Sequence, residues 1–309
     1  MIRRTILAAA RSEQLRDLAV RTPISRAVVK RFVAGDEESD VINVAGELQQ
    51  QSLYLTVDRL GEDVYELDQA KETVEDYLEL LALVDQAGLS NLVEVSVKLS
   101  AVGQALPGDG ENIALENARQ ICAKAAQIGT TVTLDMEDHT TTDSTLRILR
   151  ELRKEYPWVG AVLQAYLHRT EADAKELAYE GSRVRLCKGA YKEPESVAFQ
   201  SRADIDKSYV RCMRVLMEGK GYPMLATHDP RLIQIGEALA VSTRRDKGTY
   251  EFQMLHGVRP EEQRRLAERG EKVRVYVPYG SDWWGYLMRR MAEKPANFTL
   301  FLRSLVSRG

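Results

Sequence analysis

The chain has 309 residues, with 43 Lys and Arg against 46 Asp and Glu for a formal charge of −3; 44% of it is hydrophobic and 29% charged. That balance describes a folded globular protein, excludes wholesale disorder, and leaves no basis for nucleic-acid binding, which needs a basic face. Three cysteines (Cys122, Cys187, Cys212) form no CxxC pair, which points to a reduced, cytoplasmic protein without a structural zinc.

The opening MIRRTILAAARSEQLRDLAV carries too short an apolar run for a signal peptide or a membrane span and reads as an amphipathic helix. Residues 1–50 are expected to be a helical segment packed on one catalytic domain at 51–309. Beyond it, β-branched or apolar runs alternate with helix-period stretches. The strand-like runs are LYLTV (53–57), LVEVSVKL (92–99), TTVTLDM (130–136), VGAVLQAY (159–166), SRVRLCK (182–188), PMLATH (223–228), YEFQML (250–255) and KVRVYV (272–277). They read as apolar on both faces, which suits parallel strands covered by helices.

The helices between them have legible ends. Ala70, Val74, Tyr77, Leu81 and Val84 share one face, and Gly88 stops that helix. Asn112 is expected to cap the next, with Ile113, Ala118, Ile121, Ala125 and Ile128 on one face before Gly129. Asp143 opens a third that ends before Pro157, and Thr170 a fourth that ends at Gly181. Asp229-Pro230 pairs a cap with a proline in the first turn. Asp282 caps a last helix from Trp283 to Glu293, ended by Pro295. Eight strands alternating with helices predict an α/β fold of the (β/α)₈ type. The alternative, a doubly wound sheet, lacks its glycine fingerprint: Gly108-Asp109-Gly110 follows Pro107 and has no third glycine.

In such a barrel the chemistry sits at the C-terminal ends of the strands, where Lys98, Asp135, Gln164, Arg185, Lys188, Thr227, His228, Gln253 and Tyr276 fall. Charged groups in a barrel mouth must be paired or solvated, so many of them together predict a binding site. Arg289 and Arg290 lie about 100° apart on a helix, and Glu293 is i+4 and i+3 from them. The set reads either as a grip on one carboxylate or as a solvated helix face with an ion pair. Asp135 to His139, with His228, is a weak metal pattern, and no HExxH, GxxxxGK[ST] or GxSxG occurs. Lys98 or Lys188 at a strand end is a candidate Schiff-base lysine. Cys187 reads as packing.

Taken together, SLYLTVDRLGE (52–62), SVKLSA (96–101), TLDMED (133–138), VLQAY (162–166), RLCKGAY (185–191), ATHD (226–229), EFQMLHG (251–257), VYVPYG (275–280) and YLMRRMAE (286–293) make the chain resemble the flavin-dependent proline dehydrogenases, in the single-function bacterial form. The resemblance implies an FAD-containing barrel whose last helix lies over the mouth. It implies oxidation of L-proline to 1-pyrroline-5-carboxylate, with electrons passed to a quinone, in a cytoplasmic enzyme peripheral to the inner face of the membrane. Carried over by position, Lys98, Arg289 and Arg290 clamp the proline carboxylate and Asp135 organises that clamp. Arg185 lies near the flavin atom that receives hydride. Met136, Gln164, Lys188, Gly189, Ala190, Thr227 and His228 contact the flavin, and Arg202 its phosphates. Tyr191, Leu255, Tyr276 and Tyr286 wall the pocket, and Glu293 is the helix carboxylate. No metal is implied.

The residues agree independently with such a substrate, since cations fix a carboxylate and an apolar wall holds a ring. Positive charge beside a flavin stabilises its reduced form, and Gly189 lets backbone approach a flat ring. Two other functions fit the sequence: a Schiff-base aldolase using Lys98 or Lys188, and a non-catalytic amino-acid-binding barrel.

Overall fold

The computed structural model describes residues 31–287. All eight predicted strands form: β1 (Tyr54–Arg59), β2 (Val93–Val97), β3 (Val132–Leu134), β4 (Ala161–Gln164), β5 (Arg183–Cys187), β6 (Tyr222–Ala226), β7 (Glu251–Leu255) and β8 (Val273–Tyr279). Each lies within or within two residues of its predicted run. They pair in parallel in the order β3-β2-β1-β8-β7-β6-β5-β4. The two end strands meet as well, through a parallel bridge between Thr133 and Gly160, with Leu134 N–H donating to Gly160 O at 2.9 Å and Gly160 N–H to Val132 O at 2.8 Å. A side chain at Gly160 would overlap that of Thr133, so the seam closes where the residue has no Cβ. The sheet is therefore a (β/α)₈ barrel.

The helices are α1 (Glu38–Gln49), α2 (Leu67–Gln86), α3 (Gly110–Ile128), α4 (Thr142–Arg153), α5 (Thr170–Leu177), α6 (Arg202–Glu218), α7 (Pro230–Ser242) and α8 (Pro260–Glu268). The Ala70–Val84 stripe is buried on α2 as its spacing requires. Asp229 caps α7 by accepting from Arg231 N–H at 3.0 Å. Three expected ends shift. Asn112 is not the cap of α3; Asp109 precedes the helix, and Asn112 donates to it at 2.5 Å. α4 starts one residue before Asp143, whose carboxylate instead meets Arg169 at 2.6 Å. α5 stops at Leu177, short of Gly181. In the N-terminal segment, α1 buries Val41, Ala45 and Leu48 against the barrel, and Ala34 N–H donates to Pro278 O at 2.9 Å. The last helix runs from Trp283 to the limit of the described residues at Leu287.

One expectation fails instructively. The strands are buried on both faces but apolar on only one. Leu55, Val57, Val93, Val95 and Val97 pack with Val74, Tyr77 and Leu81 of α2 in one hydrophobic cluster. Alternate positions (Thr56, Asp58, Glu94, Ser96, Arg185, Glu251, Gln253, Arg274) are buried and polar. Glu94 of β2 reaches Thr56 of β1, Arg183 and Arg185 of β5, and Arg274 of β8. Only a side chain inside the barrel can meet strands so far apart in sheet order. Charge fills this interior because each charge finds an opposite one across the axis.

Candidate active site

Asp135, just past β3, is the hub of the mouth. Its carboxylate accepts from Arg185 Nη1 at 2.8 Å and from Tyr276 OH at 2.6 Å, and Lys98 Nζ lies 3.9 Å away. Four sequence-predicted residues thus converge, Lys98 and Asp135 from just past β2 and β3, and Arg185 and Tyr276 from within β5 and β8. Lys98 is also paired with Asp58, at the end of β1. Sequence reasoning missed Asp58, having ended that strand at Val57. Its signal was the alternation Tyr54, Thr56, Asp58, which puts the carboxylate on the inner face.

Burial by itself would make the Lys98 ammonium easier to deprotonate, but Asp58 and Asp135 outweigh it and hold its pKa above the usual lysine value. A Schiff-base lysine must be neutral to attack a carbonyl, so Lys98 is unsuited to aldolase chemistry. Lys188 meets Asp206 at 2.5 Å and Asp229 at 3.4 Å. The phenol of Tyr276 is held far above its ordinary pKa, first by burial and then by Asp135, and remains a donor.

Arg185 is almost fully buried and held on three sides. Nε donates to Gln253 at 2.6 Å, Nη1 to Ser96 at 2.9 Å and to Asp135, and Nη2 lies 3.3 Å from Glu94. Four of the five guanidinium hydrogens are thereby engaged among the described residues, leaving one on Nη2. Burial works against its charge, and Asp135 and Glu94 restore it, so its pKa is raised. Its guanidinium also sits 5.3 Å from the centre of the Tyr276 ring.

The remaining predicted residues sort by arc. Gln164, Arg185 to Ala190, and Thr227 with His228 occupy the neighbouring strands β4, β5 and β6. Lys98, Asp135 and Leu255 lie at or just past the ends of β2, β3 and β7 and Tyr276 within β8; with Asp58 of β1 they complete the ring. Met136 is buried. Gln164 spends its amide nitrogen on Glu137 O at 2.7 Å. Thr227 Oγ1 accepts from Asp229 N–H at 3.1 Å. His228 Nε2 accepts from Leu255 N–H at 2.9 Å, joining the two arcs. Arg202 begins α6 and is exposed, apart from the convergent set. Tyr191 lines a cavity of about 110 Å³ with Ser100, Gln104 and Glu137, beside the mouth. Tyr286 is buried. Arg289, Arg290 and Glu293 lie outside the described residues.

Gly189 does let a flat ring approach, but the ring is the protein's own. Its φ is +107°, and a Cβ there would overlap the side chain of Tyr166. We expect Gly189→Ala to cost about 1–3 kcal/mol in chemical denaturation, the usual range for overpacking, and to displace the 188–191 loop. Unchanged stability and site binding would show that the loop shifts without consequence. In the weak metal pattern of 135–139, Asp135 is taken by Arg185 and Tyr276, and His139 pairs with Glu193. No group of side chains among the described residues has metal-binding geometry. Burial pushes the Cys187 thiol up to about 11, which disfavours the thiolate that a nucleophile needs.

A buried guanidinium–carboxylate–phenol cluster, beside an ammonium held charged, sits at the C-terminal mouth of a (β/α)₈ barrel, the end at which barrel enzymes carry their sites. The family model described as proline dehydrogenase matches residues 41–301, and the chain belongs to that family. It is 37% identical over 308 residues to a proline dehydrogenase of Deinococcus radiodurans, covering 99% of this chain and 98% of that one. It is 36% identical over 284 residues to proline dehydrogenase 2 of Bacillus subtilis strain 168, covering 92% of each. Among solved structures, proline utilization A from Bdellovibrio bacteriovorus, inactivated by N-propargylglycine, superposes with a TM-score of 0.82 at 24% identity. That match covers 92% of this chain and 34% of the larger protein, and at such identity it speaks to the fold alone. No helix among the described residues is long and apolar enough to cross a membrane.

Proposed function

We propose that this chain oxidises L-proline to 1-pyrroline-5-carboxylate with FAD as its cofactor, and that the electrons go on to a quinone. The observation that carries this reading is the convergence of Lys98, Asp135, Arg185 and Tyr276 on one mouth, in a chain of the proline dehydrogenase family. The polar lining suits FAD: the Arg185 N–H left unengaged among the described residues, the Lys188 ammonium, and the polar side chains of Gln164, Thr227 and His228 lie along one arc, with Met136, Gly189 and Ala190 beside them. Arg202, at the start of α6, is proposed to meet the phosphates. Bound there, FAD supplies the two-electron acceptor that no side chain provides.

The protein's own work is binding and orientation. Lys98, with Arg289 and Arg290, holds the proline carboxylate, and Asp58 and Asp135 keep the Lys98 ammonium charged and aimed. Leu255, Tyr191, Tyr276 and Tyr286 wall the ring, and Glu293 steadies the arginine pair. In the overall oxidation a hydride leaves the ring carbon next to nitrogen and a proton leaves the nitrogen, forming C=N. Fixing the carboxylate at one end presents that carbon in a defined pose, which turns binding into rate. Positive charge at Arg185, held in place by four bonds, favours the electron-rich side of the reaction.

The purified protein is expected to show flavin absorption, and adding L-proline without oxygen is expected to bleach it. A folded protein that takes up no FAD, or whose flavin is indifferent to proline, overturns the reading. Borohydride trapping of a substrate–lysine adduct would favour an aldolase instead and is expected to fail.

A further inference from the structure

Beneath the mouth, a buried polar ladder continues down the barrel axis. Arg274 of β8 donates from Nε to Glu251 Oε1 at 2.8 Å. Gln253, two residues along the same strand, donates from Nε2 to that same oxygen at 2.6 Å. Its own Oε1 accepts from Arg185 Nε at 2.6 Å. Glu251 and Gln253 are both buried, at 0% and 3% exposure. Glu251 is further held by Tyr222 OH at 3.0 Å and faces Lys272 at 3.6 Å.

The chemistry of this chain has only one sense. A carboxylate accepts and cannot donate, so Glu251 compels the amide nitrogen of Gln253 to face it. The amide oxygen must then face Arg185, whose Nε–H can only donate. Arg274, Tyr222 and Lys272 surround the Glu251 carboxylate, and burial is outweighed by Arg274 in keeping its pKa below the ordinary value. Arg185 is thus gripped on its Nε side by a relay anchored at the barrel floor, while Ser96, Asp135 and Glu94 take its other edges. Gln253 is one of the polar strand-end residues and both lie in the EFQMLHG motif, but the resemblance gives neither a role, and Glu251 lies below the Asp135 and Tyr276 level of the mouth.

We infer that Glu251 and Gln253 are positioning residues: together they fix the plane of Arg185 and direct its remaining Nη2 hydrogen to the mouth. The inference rests on the proposed flavin reading, because the quantity it controls is the charge that Arg185 presents to the cofactor. A relay of this kind differs from generic core packing in being directional. Its effect follows the placement of the carboxylate, and mere filling of volume does not reproduce it.

Two variants of the full-length holoenzyme test this. Gln253→Met keeps the volume and removes both bonds. The exchange E251Q/Q253E keeps the buried charge but moves the carboxylate two residues along the strand, next to Arg185, and gives up the Arg274 bond, because Arg274 and residue 253 share one oxygen of residue 251. For Gln253→Met, kcat for proline is expected to fall about tenfold per bound FAD with KM little changed, since substrate still meets Lys98. For the exchange variant, the potential of the bound flavin is expected to fall by about 30 mV, a tenfold shift of a two-electron couple, because the negative charge, now next to Arg185, opposes the reduced form. If both variants bind FAD with wild-type potential and turnover, or lose only melting temperature, the pair is structural and the inference is overturned. If the wild type takes up no FAD, the failure is instead that of the flavin reading, which removes the basis of this inference with it.

Discussion

Replacing Asp135 with Ala is expected to lower kcat/KM for proline by a hundredfold to a thousandfold and to cost about 3–5 kcal/mol of stability. The Asp135 carboxylate accepts from Arg185 and Tyr276 and lies 3.9 Å from Lys98. Without it, buried donors lose their acceptor, and among the described residues Lys98 keeps Asp58 as its close counter-charge. Hydrogen bonds to a charged group are worth about 1.5–3 kcal/mol each, so two lost together are enough to cover the roughly 2.7–4.1 kcal/mol that such a fall represents at 1.36 kcal/mol per tenfold. Asp135→Asn keeps the volume and one acceptor and is expected to fall between Ala and wild type. Steady-state kinetics per bound FAD and urea unfolding measure the two effects separately. Near-normal kcat/KM in the Ala variant would remove Asp135 from the site.

The second large effect lies deeper. Glu94 is buried among Arg183, Arg185 and Arg274, with Thr56 Oγ1 donating to it at 2.6 Å. Burial alone would raise its pKa, but the three guanidiniums overcome it and hold the carboxyl far below the ordinary glutamate value. The folded-state pKa therefore lies below the unfolded one. The stabilisation is fully present above the unfolded value, about pH 4.3, and is lost as pH falls through the folded value. Wild-type unfolding free energy is accordingly expected to decline below about pH 4. Glu94→Gln is expected to lose about 3–5 kcal/mol at neutral pH, the cost of stripping a buried charge of its partner, and to show a shallower acid decline. An equal acid slope in wild type and variant would assign the acid sensitivity to other carboxylates.

These two residues mark the limit of what could be read along the chain. Asp135 and Arg185 announced themselves as polar groups where apolar runs ended, and Lys98 and Tyr276 did the same. Glu94, Glu251 and Arg274 did not, because a single charge inside an apolar run carries no sign of which face it takes or what lies opposite. The signal was present as a period of two: Glu94 and Ser96, Arg183 and Arg185, Glu251 and Gln253, Arg274 and Tyr276 each share a strand face. Without the partners across the axis, that alternation reads equally well as a strand with one wet side. Gly189 teaches the same lesson, since a close approach was foreseen and Tyr166, from another strand end, turned out to make it.

The order and kind of the elements were thus set locally. Apolar periodicity, the Asp229-Pro230 cap and the glycines at helix ends are short-range signals that can be read without any tertiary contact, and with the recurring motifs they suffice for a (β/α)₈ barrel of the proline dehydrogenase family. The interior of the barrel was decided only by closure. When β3 meets β4, residues from β1, β2, β5, β7 and β8 are brought within bonding distance. Only there, shielded from water, do their charges need one another, because an unpaired charge that water would solvate along an open chain costs several kcal/mol inside the barrel.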